Sequence, residues 1–139
     1  MTAQFPLVIV DAANVVGSVP DGWWRDRRAA AERLRDRLAE YAALGLRQRP
    51  GLPPWAQRGP LEIVLVVEGA ARDVEPVPEV RVVAAPGSGD DRMVELVAAR
   101  EPGRDCLVVT ADRELRERVA ALGADVAGPR TVRPAADGS

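Results

Sequence analysis

Short apolar runs alternate with longer amphipathic segments along this chain. LVIV (7–10), LEIVLVV (61–67), VRVVAA (80–85) and DCLVVT (105–110) are mostly apolar, without strict alternation. That is the pattern of strands buried on both faces of a parallel sheet. ADVAG (124–128) predicts a short fifth strand. From Trp23 to about Gly45, Ala30, Leu34, Leu38, Tyr41 and Ala42 recur at helical spacing, and Gly45 fits a C-terminal stop. Two further helices are predicted, from about Asp90 to Arg100 and from Asp112 to Leu122, the latter stopped by Gly123. Residues 46–60 contain four prolines and two glycines and predict a loop. Strands alternating with helices imply an α/β fold: a mostly parallel central sheet of four to five strands with helices on both faces. One domain over 1–128 is expected, with 129–139 as a flexible tail containing Pro, Gly and Ser.

The polar positions that interrupt this pattern are mostly carboxylates at strand ends. The first strand ends in Asp11, the second in Glu68 and the fourth in Thr110-Ala111-Asp112. Asp90 and Asp91 follow the third, in the turn PGSGDD. In open parallel α/β sheets, ligands bind at the carboxyl ends of the strands, so these groups should share one rim. Each has a structural explanation when taken alone. Asp11 suits an Asx turn, Asp112 a helix start and Glu68 a solvated loop, while Ser88 and Asp91 have capping-box spacing. Together they would repel one another, and a divalent cation relieves such repulsion. An all-oxygen set suits Mg²⁺ or Mn²⁺. Such ions activate water and clamp phosphoryl oxygens, which points to phosphodiester hydrolysis.

Composition narrows the chemistry. The 139 residues include no histidine, and all 19 basic residues are arginine. Histidine-based triads, dyads and metal sites are excluded, as are a P-loop lysine and Schiff-base chemistry. The same lack of lysine argues against receiver domains and haloacid-dehalogenase-type phosphatases. Cys106 lies within an apolar run and reads as a core residue. The net charge of −2 does not itself predict a polyanion binder. No stretch approaches the length of a membrane span, no signal peptide is visible, and a cytoplasmic location is expected.

Three motifs then resemble a known family. VIVDAANVVGS (8–18), SGDDRMVELV (88–97) and LVVTADRELRERV (107–119) look like the three acidic motifs of NYN domains, a branch of the PIN-like nuclease superfamily. Their order and spacing match over roughly residues 7–122 and are similar to the YacP-like bacterial endoribonucleases. The resemblance implies a PIN-like three-layer sandwich and a metal-dependent endoribonuclease. It implies catalytic roles for Asp11, Asn14, Asp90 and Asp112, with Asn14 orienting a ligand or water. Metal ligation would fall to Asp11, Asp90 or Asp91, and Asp112, with Glu68 at the rim. Of the acidic pair, Asp90 is expected as the ligand and Asp91 as its helper or as a cap. Two positions depart from the pattern. The second strand ends in Glu68 where an aspartate is common, and Ala12-Ala13 replace a glycine-tyrosine pair.

RNA would need phosphate contacts and stacking surfaces. Trp23, Arg25, Arg27 and Arg28 are expected near the mouth of the site, and Arg92 and Arg113 each follow an acidic motif residue. Arg47, Arg49 and Arg58 flank Trp55 in the same interleaved style. The competing reading for such arginines is a solvated helix face. At this level three functions stay open. The leading one is an endoribonuclease acting on single-stranded RNA. The second is a non-catalytic module binding RNA, a nucleotide or a protein, and the third is the toxin of a toxin–antitoxin pair. A homodimer, a ribosome and an antitoxin are all partners compatible with the sequence.

Overall fold

A computed structural model describes residues 5–18, 22–46 and 51–132 of the chain. Five strands form one sheet: β1 (Leu7–Asp11), β2 (Glu62–Val67), β3 (Val80–Ala84), β4 (Cys106–Val109) and β5 (Asp125–Ala127). Their order is β3-β2-β1-β4-β5, and every pairing is parallel. Strand order therefore reverses direction between β1 and β4, which opens a crevice at their carboxyl ends. The mixed α/β, three-layer architecture is the one expected.

Alternation along the strands divides the core. Val8, Val10, Ile63, Leu65, Val67, Leu107 and Val109 face one helical layer. It comprises α1 (Ala12–Val16) and α2 (Arg27–Leu44), whose Leu34 and Leu38 fill it. Leu7, Ile9, Val64, Val66, Cys106 and Val108 face the other layer. There α3 (Gly89–Ala99) contributes Met93 and Val97, and α4 (Arg113–Ala120) contributes Leu115 and Val119. The apolar residues of β1, β2 and β4 thus bury their side chains against helices on both faces, which explains why these three strands read as apolar runs.

Four expectations need correction. The helix expected from Trp23 is two elements: a 3₁₀ turn at Trp23–Arg25, then α2, which starts at Arg27 because Asp26 accepts a hydrogen bond from the Ala29 amide at 3.0 Å. A short helix, α1, directly follows Asp11, where the pattern had shown none; five residues are too few for a visible helical period. In the proline-rich loop, residues 51–60 include a 3₁₀ turn at Pro54–Gln57, with Leu52 and Ala56 buried. At the C-terminal end, Pro129–Thr131 form a 3₁₀ turn that seats Val132 in the core, so the packed body runs past residue 128. Residues 133–139 of the expected tail lie outside the described ones. Among the described residues no helix is long and apolar enough to cross a membrane.

Candidate active site

The carboxyl end of β1 places Asp11 at the crevice, where only 5% of its surface is exposed. Both carboxylate oxygens are hydrogen-bonded. Oδ1 accepts from the Asn14 amide at 3.3 Å and caps α1. Oδ2 accepts from the Thr110 hydroxyl at 2.9 Å, across the crevice from the end of β4. Thr110 Oγ1 in turn accepts from the Asp112 amide at 3.1 Å. A second tie runs beside the first, because Asn14 Oδ1 accepts from the Ala111 amide at 2.8 Å. The first and third acidic motifs are therefore stitched together by Asn14 and Thr110.

Asp112 is the N-cap of α4 and accepts from the Leu115 amide through Oδ1 at 3.0 Å. The turn before α3 is organised differently. Ser88, not an aspartate, is the N-cap, accepting from the Asp90 amide at 3.1 Å. Neither Asp90 nor Asp91 is spent on capping, and the two diverge. Asp91 points outward and pairs with Arg118 of α4 at 3.1 Å. Asp90 turns toward the other acidic groups. Burial, then the negative charges of Asp112 and Glu68, raise its carboxyl above the usual range, with Arg118 partly opposing them.

Glu68 reaches the same turn from the end of β2, where its Oε2 accepts from the Gly89 amide at 3.2 Å. A Cβ on residue 89 would sit 2.7 Å from that oxygen, so any other residue there would force the Glu68 carboxylate to shift. Burial pushes the Asp11 carboxyl up to about 6. The Thr110 and Asn14 hydrogen bonds pull it down, while the charges of Asp90 and Glu68 push it further up. Asp11, Glu68, Asp90 and Asp112 thus act on one another as a single field of like charge. Among the described residues, however, no three acidic groups stand together as a ready set of metal ligands.

The arginines are dispersed. Arg28 pairs with Glu32 at 3.3 Å and Arg92 with Glu95 at 3.1 Å, each within its own helix, as on a solvated face. Arg113 is exposed at the start of α4. Arg25 lies over the Trp24 ring, 6.0 Å from its centroid, and Trp24 is half exposed. The Trp23 side chain, Arg47 and Arg49 lie outside the described residues. Trp55 and Arg58 line a hollow with Phe5 and Pro6, which precede β1. They sit at the amino ends of the strands, away from Asp11, so the proline loop does not extend the rim. Arg27 lines a cleft beside α1 together with Glu68.

Sequence reasoning missed the use made of two residues. Thr110 was read only as the end of a motif, yet it is the fully buried link between Asp11 and Asp112. A polar residue closing an otherwise apolar strand was the available signal. Arg118 of α4 was not singled out, and nothing in its spacing indicated Asp91.

No family model matches the chain. No curated protein matches it either. Two solved structures of Rae1 (YacP) from Bacillus subtilis, one of them a point mutant, superpose on it with a TM-score of 0.66. They are 18% and 20% identical to it, and each alignment covers 90% of this chain and 70% of that one. At this level of identity the likeness concerns the fold. The chain has the fold of these Rae1 (YacP) structures.

Proposed function

We propose that this protein is a Mg²⁺- or Mn²⁺-dependent endoribonuclease that cleaves single-stranded RNA. One observation carries the reading. Asp11, Glu68 and Asp112 follow the carboxyl ends of β1, β2 and β4, Asp90 follows β3 in the first turn of α3, and burial, with repulsion among these groups added to it, raises the carboxyls of Asp11 and Asp90. A fold does not maintain such a field for stability; a cation is what would relieve it.

The donor set is all oxygen, which fits a hard divalent cation. That no three acidic groups form a closed cage is compatible with Mg²⁺, which keeps several waters and uses one or two carboxylates together with substrate phosphates. Asp11, Asp90 and Asp112 would hold the ion, with Glu68 adding charge from the β2 side. When bound, the ion would polarise the scissile phosphate and lower the pKa of an attacking water. Thr110 and Asn14 hold the two sides of the crevice in register. Arg113, on the exposed first turn of α4, would meet a phosphate of the incoming strand. The similarity to Rae1 (YacP) structures supports the nuclease-type fold for this reading.

The test is cleavage of an end-labelled single-stranded RNA with Mn²⁺, with EDTA, and with the Asp11→Asn protein. Cutting is expected only in the first condition. Failure of the folded wild-type protein to cut any of several RNAs in Mn²⁺ and Mg²⁺ would reject the proposal.

A further inference from the structure

Beside the acidic rim lies a cleft of about 190 Å³ that shares Glu68 with the rim but whose other walls take no part in the proposed chemistry. It is bounded by the first turn of α1, the start of α2 and the turn after β2. Ala12, Ala13, Ala31 and Ala71 line it with methyl groups, and among the described lining residues only Glu68 and Arg27 carry polar side chains. Ala12 and Ala13 directly follow Asp11, so whatever enters the cleft lies next to the candidate reaction centre.

Smooth walls of small residues suit a flat ring, and the volume suits one base rather than a stacked pair. Single-stranded RNA is read by splaying out such a base and bonding its edges. The Glu68 carboxylate selects among the bases. When ionised it only accepts hydrogen bonds; Oε2 takes one from the Gly89 amide, and the carboxylate keeps further acceptor capacity beside the cleft that Glu68 lines. Guanine presents two adjacent donors, N1–H and N2–H₂, on its Watson–Crick edge. Adenine and cytosine present one amino group beside a bare ring acceptor, which a carboxylate repels. Uracil presents one N–H flanked by two carbonyls. Arg27 supplies a cation for the acceptor atoms of the same nucleotide. We infer that this cleft is a base-specificity pocket that takes one unstacked guanine of the RNA, read by Glu68. The inference rests on the RNA-cleaving reading for its biological setting, but not for its test.

The test is a titration of the full-length protein with 5′-GMP, 5′-AMP, 5′-CMP and 5′-UMP in EDTA, followed by backbone amide NMR shifts. GMP should bind at least about ten-fold more tightly than the others, with shifts at Ala12, Ala13 and Gly69. Ala13 is exposed, so Ala13→Leu obstructs the mouth of the cleft without entering the core. It should weaken GMP by about ten-fold, and Glu68→Gln should abolish the preference for guanine. Equal binding of the four nucleotides by the wild-type protein would overturn the inference whatever the variants do. So would unchanged GMP binding in folded Ala13→Leu. The cleavage assay separates the two proposals. RNA cutting without GMP selectivity leaves the nuclease and removes the pocket; GMP selectivity without cutting leaves the pocket and removes the nuclease.

Discussion

The Thr110 hydroxyl donates to Asp11 Oδ2 at 2.9 Å, joining the carboxyl ends of β4 and β1 across the switch point of the sheet. Both residues are buried, and Thr110 Oγ1 also receives the Asp112 amide. One hydroxyl therefore satisfies a buried carboxylate and orders the start of the third acidic motif.

Thr110→Val keeps the shape and removes the hydroxyl. It leaves Asp11 Oδ2 and the Asp112 amide each without a partner, a loss of roughly 1–3 kcal/mol. Urea unfolding should show that loss. It should be greater at pH 8 than at pH 5, because the ionised Asp11 depends more on the donor. An unchanged midpoint at both pH values would show that the link contributes nothing.

Asp11 makes stability depend on pH in a defined direction. Its folded pKa of about 6 lies above the ordinary 3.8, so between these values the folded state holds a proton that the unfolded chain has released. The stabilisation is complete below pH 4 and is lost as pH rises through 6, amounting to about 3 kcal/mol. Asp90, raised in the same direction, adds to this slope. Asp11→Asn should flatten the profile and be more stable than wild type at pH 7. Chemical denaturation across pH 4–8 measures both effects.

If the field is held for a cation, Mg²⁺ or Mn²⁺ should raise the melting temperature. The rise should be larger at pH 7 than at pH 5, where protons compete for Asp11. It should disappear in Asp11→Asn and shrink in Asp90→Asn. A rise of the same size in Asp11→Asn would place the ion elsewhere.

Asp90 and Asp91 should separate cleanly. Asp91→Asn removes a solvent-exposed pair with Arg118 and should cost no more than about 1 kcal/mol, with RNA cleavage nearly intact. Asp90→Asn should reduce cleavage by at least about a hundred-fold if it helps to hold the ion. Parallel rate measurements on the two variants decide the matter, and equal losses would undo the assignment of roles.

Asn14 offers a subtler comparison. Asn14→Ala removes the acceptor for the Ala111 amide and should cost about 1 kcal/mol while loosening the turn before α4. Asn14→Asp retains an acceptor but adds negative charge beside Asp11. It should recover stability at low pH and lose it more steeply as pH rises. Identical pH profiles for the two variants would show that the tie, and not the charge, is all that matters.

Much of this architecture was legible in the sequence. Strands buried on both faces must be apolar at nearly every position, and that signal identified β1, β2 and β4; weaker apolar runs identified β3 and β5, and a carboxylate follows each of the first four strands. The long helix α2 and the helices after the second and third motifs also follow from periodicity. Helix α1 escaped because five residues cannot establish a period, and Val132 escaped because one apolar residue in a polar tail carries no pattern. What only the tertiary structure decided is where each acidic side chain goes. Asp90 and Asp91 are neighbours of the same type, and nothing local distinguishes them. Their directions differ because successive helical residues point about 100° apart. One of those directions meets Glu68 and Asp112 from other strands, and the other meets Arg118 from α4. Those partners lie far off in the chain, and only the folding of a parallel sheet with its strand order reversed at β1 and β4 brings them together.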